Sequence, residues 1–487
     1  MLFNSIQFAI FLPIVFTIYW LLAKHVKWQN TLLLLASYFF YAWWDWRFLS
    51  LVLLCSITNF LGGLGLMKVE KQKTRKMILT LCCVISLGVL GLFKYYDFFA
   101  DSLMHLFTPP HTDISIINIK LLHLILPVGI SFYTFHTLSY TIDVYRRKFE
   151  PTKDVVSFFL FVSIFPLAMA GPIERATNLL PQIYKRRAFD YDMAVDGMRQ
   201  ILWGLFKKVV VADNCAVYAN QIFDTYQTQS GGTLLMGAIF FAFQIYGDFS
   251  GYSDMAIGIG KLLGFRFLNN FHFPYFSRDI AEFWRRWHIS LTTWFRDYLY
   301  IPLGGSRGSK AMIVRNTFII FLVSGFWHGA NWTFIAWGAY HAVLFLPLIL
   351  LGRNRKYTNT VAERKLLPSI KEFLQMLLTF VLVLIGWIFF RAETIHKAVQ
   401  ILRHIGSKSI LNLNLHLGVG AIGGTTYIAL FINILILFIV EWLQRKKEYG
   451  LEISQINPWL RRLAYLFIIF NIICFKGESA KFIYFQF

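Results

Sequence analysis

The stretch that decides the fold runs from Phe283 to Leu351. It opens FWRRWHISLTTWFRDYLYIPLGG (283–305) and, after a short basic segment, continues RNTFIIFLVSGFWHGANWTFIAWGAYHAVLFLPLILL (315–351). Two histidines sit in it in unlike surroundings. His288 lies among Arg285, Arg286, Arg296 and Asp297, where WRRWH and WFRDY alternate aromatic and charged groups in the manner of an interfacial helix. His328 instead follows a long apolar run at a Trp-His-Gly step, where an ionisable group is costly unless it has a function.

The rest of the chain agrees with hydrocarbon as the solvent. Of 487 residues, 57% are hydrophobic and 15% charged, and mean hydropathy is +0.54, well above an ordinary globular domain. A membrane-spanning helix needs roughly 20 apolar residues, and the chain offers about ten to thirteen candidate stretches. Strand-like alternation with turn signals, the mark of a barrel, is absent. The fold class expected is therefore an all-α polytopic membrane protein. A net charge of +21 would suggest nucleic acid in a soluble chain. Here the bases gather in short loops between apolar runs, which reads as topology and excludes a polyanion groove.

Five cysteines, Cys55, Cys82, Cys83, Cys215 and Cys474, lie in or beside apolar stretches without metal-ligand spacing, so they read as small buried hydrophobes and no metal site is expected. The first basic residue, Lys24, follows the first apolar run, so that run is expected to stay rather than be cleaved as a signal. No internal repeat or soluble linker stands out, and residues 1–487 are expected to form one membrane domain.

Taken in order, the spans expected are Ser5 to Ala23, Thr31 to Trp44, Phe48 to Met67, Met77 to Phe93 and Leu121 to Asp143. The basic loop KVEKQKTRK (68–76) is expected to be cytoplasmic, which turns the N-terminus outward. From Val155 to Phe283, pieces such as FQIYGDFSGYSDMAIGIG break the hydropathy. Broken helices at membrane depth line cavities or lie buried in protein, so Gly247, Asp248, Ser250, Gly251, Ser253 and Asp254 are expected at a cavity. The alternative is an interfacial loop with helix caps. Ile313 to Trp327 is 15 residues, about 22 Å at 1.5 Å each, so His328 is expected at membrane depth in the outer half. Glu372 to Phe390, Thr426 to Leu443 and Leu463 to Phe475 complete the crossings, with the tail KGESAKFIYFQF (476–487) outside.

The imidazole of His328 is the group best suited to take a proton near neutral pH, as a general base activating a hydroxyl or thiol for acyl transfer. The structural alternative is a histidine bridging two helices. Arg285 and Arg286 either anchor their helix or meet the phosphates of a nucleotide-bearing donor such as coenzyme A, while His288 assists at the inner mouth.

These residues sit in motifs that resemble the membrane-bound O-acyltransferases, in the bacterial branch of alginate O-acetylases and teichoic acid D-alanyl transferases. The likeness rests on LPVGISFYTF from Leu126, MAGPIER from Met169 and DFSGYSDMAIG from Asp248. It continues through PYFSRDIAEFWRRWHISLTTWFRDYLYIPLGG from Pro274 and SGFWHGANWTFIAWG from Ser324. The alginate-acetylase subgroup fits best, through the opening MLFNSIQFAIFLPIVFTIYWLL and the WIFFRAETIHKA run from Trp387. His136 departs from the polar residue expected there.

The resemblance implies a ring of helices around a tunnel. His328 would be the invariant histidine and His288 the branch's second; Arg285, Arg286, Trp327, Asp248 and Ser250 would serve donor or substrate. The last six residues, FIYFQF, resemble the C-terminal motif of the small companion peptide of D-alanylation. By that match Tyr484 would take an acyl group with help from His328; the plainer reading is an aromatic anchor at the interface.

The expectation is an O-acetyltransferase of the bacterial cytoplasmic membrane, with both termini extracytoplasmic. It would draw on a cytosolic thioester, acetyl-CoA, and pass the acetyl group to a secreted or periplasmic SGNH-type O-acetyltransferase for an exported polysaccharide, alginate-like or peptidoglycan. No bound cofactor is expected; membrane lipid is an expected partner and nucleic acid is not. D-alanyl transfer within the same class, and a transporter or channel with histidines lining its path, are the competing readings.

Overall fold

A computed structural model describes residues 1–108, 117, 119–413, 426–477, 480, 482 and 483. Among these residues the regular structure is helical and no strand occurs. The chain divides into two compact units, Met1–Phe189 with Gly329–Asn331, and Asp190–His328 with Trp332–Phe487.

The first unit carries α1 (Ile6–Leu21), α2 (Val26–Asp45), α3 (Leu49–Lys68), α4 (Gln72–Lys94), α5 (Tyr96–Leu106), α6 (Ile130–Tyr145), α7 (Val155–Ser163) and α8 (Ala176–Tyr184). Ser5 starts α1 by accepting the Phe8 amide. On one face of α1, Ile6, Ile10, Ile14 and Ile18 recur every fourth residue and stay exposed, a stripe suited to hydrocarbon rather than water. Elsewhere in the unit, α3, α4 and α6 are tied to one another by buried polar groups. Asn59 on α3 donates to Ser86 on α4 at 2.9 Å and accepts from Thr141 on α6 at 2.6 Å, binding three helices through one amide.

The span expected from Leu121 is helical only from Ile130. Gly129 precedes it at φ 73°, a conformation glycine adopts without strain, and Pro127 stands two residues earlier. His136, on α6, is buried and accepts the Glu174 amide at 3.1 Å, a packing role.

The second unit holds α9 (Tyr191–Leu205), a π-helical stretch (Phe206–Ala212), α10 (Asp213–Asp224) and α11 (Gly231–Leu262). It continues with α12 (Ile280–Arg286), α13 (Ile289–Phe295), α14 (Lys310–His328), α15 (Trp332–Leu350) and α16 (Ile370–Arg391). α17 (Ile395–Ile405), α18 (Tyr427–Leu443) and α19 (Pro458–Cys474) complete it. α16 begins with a full capping box, Ser369 with Glu372.

α11 corrects the expectation of a broken helix. It runs unbroken for 32 residues through GDFSGYSD. Its glycines are there for close packing: an added Cβ at Gly251 would lie 2.7 Å from the Gly204 carbonyl, and one at Gly258 2.5 Å from that of Gly197. α9 therefore approaches α11 backbone to backbone, the small-residue packing of membrane helices. The aspartates are buried because lysines meet them, Asp254 paired to Lys207 at 2.6 Å and Asp248 to Lys208 at 2.7 Å.

Among the described residues, six helical stretches are long and apolar enough to cross a membrane: Val26–Lys68, which contains both α2 and α3, Gln72–Lys94, Gly231–Leu262, Lys310–His328, Trp332–Leu350 and Ile370–Arg391. The protein is an integral membrane protein. α1 and α18 are apolar but shorter. Of the cysteines, Cys55, Cys82 and Cys215 are buried as expected, whereas Cys83 is half-buried and Cys474 exposed.

Candidate active site

The site is built on α12 to α15 of the second unit, with a π-helical stretch (Arg296–Tyr300) between α13 and α14. α12 starts at Asp279, whose carboxylate accepts the Glu282 amide at 2.7 Å. It ends at Trp287, and His288 turns the chain into α13 at φ 44° and ψ 53°. A non-glycine residue held left-handed costs energy and tends to mark a site where geometry matters more than ease.

α14 then carries the chain to His328 at its last position. With 19 residues it is about 28 Å long at 1.5 Å per residue, three residues longer at its start than the sequence suggested. α14 and α15 touch closely: a Cβ on Gly325 would meet the Phe334 carbonyl at 2.2 Å, and one on Gly338 the Phe321 carbonyl at 2.3 Å.

These helices bring the two histidines together. His288 is 1% exposed and His328 4%, and their ring centroids are 6.4 Å apart. Trp327 packs edge-on against both, at 5.9 Å from His288 and 4.9 Å from His328. Trp337 and Phe390 close around His328 at 5.1 and 5.4 Å.

Both histidines line one cavity of about 420 Å³, within the range of small-ligand pockets. Its walls are apolar, including Trp284, Leu291, Phe295, Phe321 and Phe345, with Ser324 and Thr292 among the polar groups. Arg285, Arg296 and Arg355 line it as well, the last two exposed. The geometry is a greasy slot with a basic opening and two imidazoles at its buried end. It suits a ligand with a charged head and a slender acyl-bearing arm.

The arginine pair separates. Arg285 stays at the cavity, donating to the carbonyls of Asn354 and Tyr357. Arg286 turns away and is consumed: its guanidinium pairs with the buried Glu282 at 2.9 Å, which also binds Arg278 at 3.0 Å. A second Arg286 nitrogen lies 2.8 Å from Nδ1 of His272. Burial, and then the charge of Arg286, hold His272 below the ordinary histidine range.

Asp248 and Ser250 do not line the cavity. Asp248 faces Lys208 and accepts the amide of Ile483 at 2.7 Å, and Ser250 is buried with no hydrogen-bond partner among the described residues. Tyr484 lies outside the described residues. No cluster of metal-ligating side chains occurs among the described residues. Arg296 was visible in the sequence only as one of the interfacial charges around His288, and Arg355 was not singled out, since nothing in GRNRKYTN (352–359) sets it apart from the bases beside it.

Comparison with known proteins fits this site. The sequence profile of the membrane-bound O-acyltransferase family matches residues 152–387, which include both histidines. The probable alginate O-acetylase of Pseudomonas aeruginosa is 43% identical over 401 residues, covering 82% of this chain and 73% of that protein. The peptidoglycan O-acetyltransferase of Helicobacter pylori is 35% identical over 433 residues, covering 83% and 79%. The teichoic acid D-alanyltransferase of Bacillus subtilis is more distant, 28% identical over 331 residues, covering 65% and 78%. With a helical membrane fold, a buried histidine pair at one cavity and this extent of similarity, the chain belongs to the membrane-bound O-acyltransferase family.

Proposed function

We propose that this O-acyltransferase moves an acetyl group from acetyl-CoA, a cytosolic thioester, to an acceptor bound for an exported cell-envelope polysaccharide. The observation that carries the reading is the pair of buried imidazoles, with ring centroids 6.4 Å apart, in a largely apolar cavity that is basic where Arg285, Arg296 and Arg355 line it. The arginines meet the donor's phosphates. The apolar walls hold the pantetheine arm and exclude water from the thioester.

His328 takes the proton of the attacking hydroxyl as the oxygen adds to the thioester carbonyl, and returns it to the departing sulfur. His288 steadies the developing charge from the neighbouring position. The relatives named for alginate and for peptidoglycan acetylation support acetyl as the group and a glycan as its destination.

In this reading the protein lies in the bacterial cytoplasmic membrane with both termini extracytoplasmic. Tyr484 is the first outer acceptor, and a secreted or periplasmic SGNH-type O-acetyltransferase collects the group from it. Support comes from the two residues before it, Phe482 and Ile483, both buried in the unit that holds the histidines.

The test uses the full chain in lipid nanodiscs with acetyl-labelled acetyl-CoA. Thioester loss that depends on His328, with label recovered on the C-terminal peptide by mass spectrometry, is the expected result. An intact thioester in the presence of solute movement would overturn the reading in favour of a carrier. Label transferred to acceptor while the tail stays unmodified would remove Tyr484 alone.

A further inference from the structure

The buried charges on the π-helical stretch and α11 have no place in the mechanism so far, yet they converge on the end of the chain. Lys208 lies 2.8 Å from Asp213 and 2.7 Å from Asp248, all three buried. Its ammonium has three donors. Two face the carboxylates and the third reaches the Ala480 carbonyl at 3.3 Å.

The other oxygen of Asp248 takes the Ile483 amide at 2.7 Å. Earlier in the tail, Asn214 donates to the Phe475 carbonyl at 2.8 Å, and the Gly477 amide donates to the Val209 carbonyl at 3.0 Å. Val209 belongs to the π-helical stretch, a geometry that recurs at functional sites. An added Cβ on Gly477 would stand 3.0 Å from the Asn214 side chain, so the tail is seated against its partners.

A buried ion cluster that is complete only when the terminal backbone is present is more than ballast for α11. Buried charges are weak stabilisers but strict about geometry. The segment they hold also leads to the histidines: the Phe482 ring packs 6.5 Å from Phe249, whose ring stands edge-on to His288 at 4.7 Å.

We propose that Lys208, Asp213, Asp248 and Asn214 form a dock for the C-terminal segment. They are positioning residues that set the register of the segment carrying Ala480, Phe482 and Ile483, whose Phe482 ring reaches His288 through Phe249. The proposal rests on the acyl-transfer reading for its purpose, but the dock is measurable without it.

Ile483→Pro removes the amide that Asp248 accepts and changes none of the cluster's own side chains, while Ile483→Ala keeps that amide. Asn214→Ala loosens the tail from its other end. In nanodisc-embedded full-length protein, hydrogen exchange of the C-terminal peptide should rise in Ile483→Pro and Asn214→Ala and stay closer to the parent in Ile483→Ala. The kcat for acetyl transfer from acetyl-CoA should fall 10- to 100-fold in Ile483→Pro, with KM for acetyl-CoA within twofold of the parent. Lys208→Arg should retain more of the protection than Lys208→Met.

Unchanged exchange in Ile483→Pro and Asn214→Ala, or transfer at the parent rate once the tail is released, would overturn the dock. A parent protein that never turns over acetyl-CoA would instead overturn the proposed reaction, and the dock would then be decided by exchange alone.

Discussion

His288 and His328 present their rings to each other at 6.4 Å with 59° between the planes, and both face the same cavity. One comes from a left-handed turn between two short helices, the other from the last position of a long one. Their meeting joins parts of the sequence 40 residues apart.

Replacing His328 with alanine should lower acetyl transfer by about 10²- to 10⁴-fold, the usual contribution of a general base. The His288 position separates chemistry from backbone. His288→Asn tolerates the left-handed turn and should lose transfer while keeping thermal stability. His288→Val should lose both, with strain of about 1–3 kcal/mol. Initial rates with labelled thioester and thermal unfolding in detergent measure the two effects; a His288→Val protein as stable as its parent would contradict the turn's role.

Arg285→Ala should raise KM for acetyl-CoA about tenfold, the worth of one charge-assisted contact, and leave folding intact. Arg286→Ala should do the opposite. It strands the buried Glu282 beside Arg278 alone, and breaking one side of such a pair costs about 3–5 kcal/mol. Comparing KM with unfolding temperature across the two variants checks the assignment.

His272 predicts a pH dependence. Its ring accepts from Arg286 and is held below the ordinary histidine range by burial and by that charge. The unfolded chain therefore binds this proton at a higher pH than the folded one, so stability rises with pH through this site. Stability should be fully present above about pH 6.5, the unperturbed histidine value, and decline as pH falls below it. His272→Gln should flatten that decline in thermal unfolding followed from pH 7.5 to 5.

Gly325→Ala and Gly338→Ala should each prevent accumulation of folded protein, because the new methyl would press on a backbone carbonyl that cannot move aside. Gly88→Ala, on α4, meets nothing within 4 Å. It should be neutral or gain up to about 1 kcal/mol. Yield of monodisperse protein after extraction distinguishes them.

The sequence revealed the apolar runs and the histidine pair, because both are local signals. α1, α3, α4, α16 and α18 fall within a few residues of the expected bounds, since uninterrupted apolar composition is what hydrocarbon demands. α11 was misread because its glycines and aspartates look like breaks when taken alone. Their justification lies in Gly197, Gly204, Lys207 and Lys208, about 40 to 60 residues upstream. Asp248 was placed at the cavity for the same reason: a buried carboxylate announces that a partner exists without saying which. Arg286 looked like the equal of Arg285, and only its turn toward Glu282 tells them apart.

The backbone contact at Gly325 lies one helical turn before His328. The imidazole is thus mounted on main chain pressed to main chain, with no compressible side chain between to act as a cushion. A bulkier acyl group would have to find its room by moving cavity walls such as Phe345 or Leu291, because the histidine's own support cannot recoil. Attempts to broaden the donor range should start at those walls.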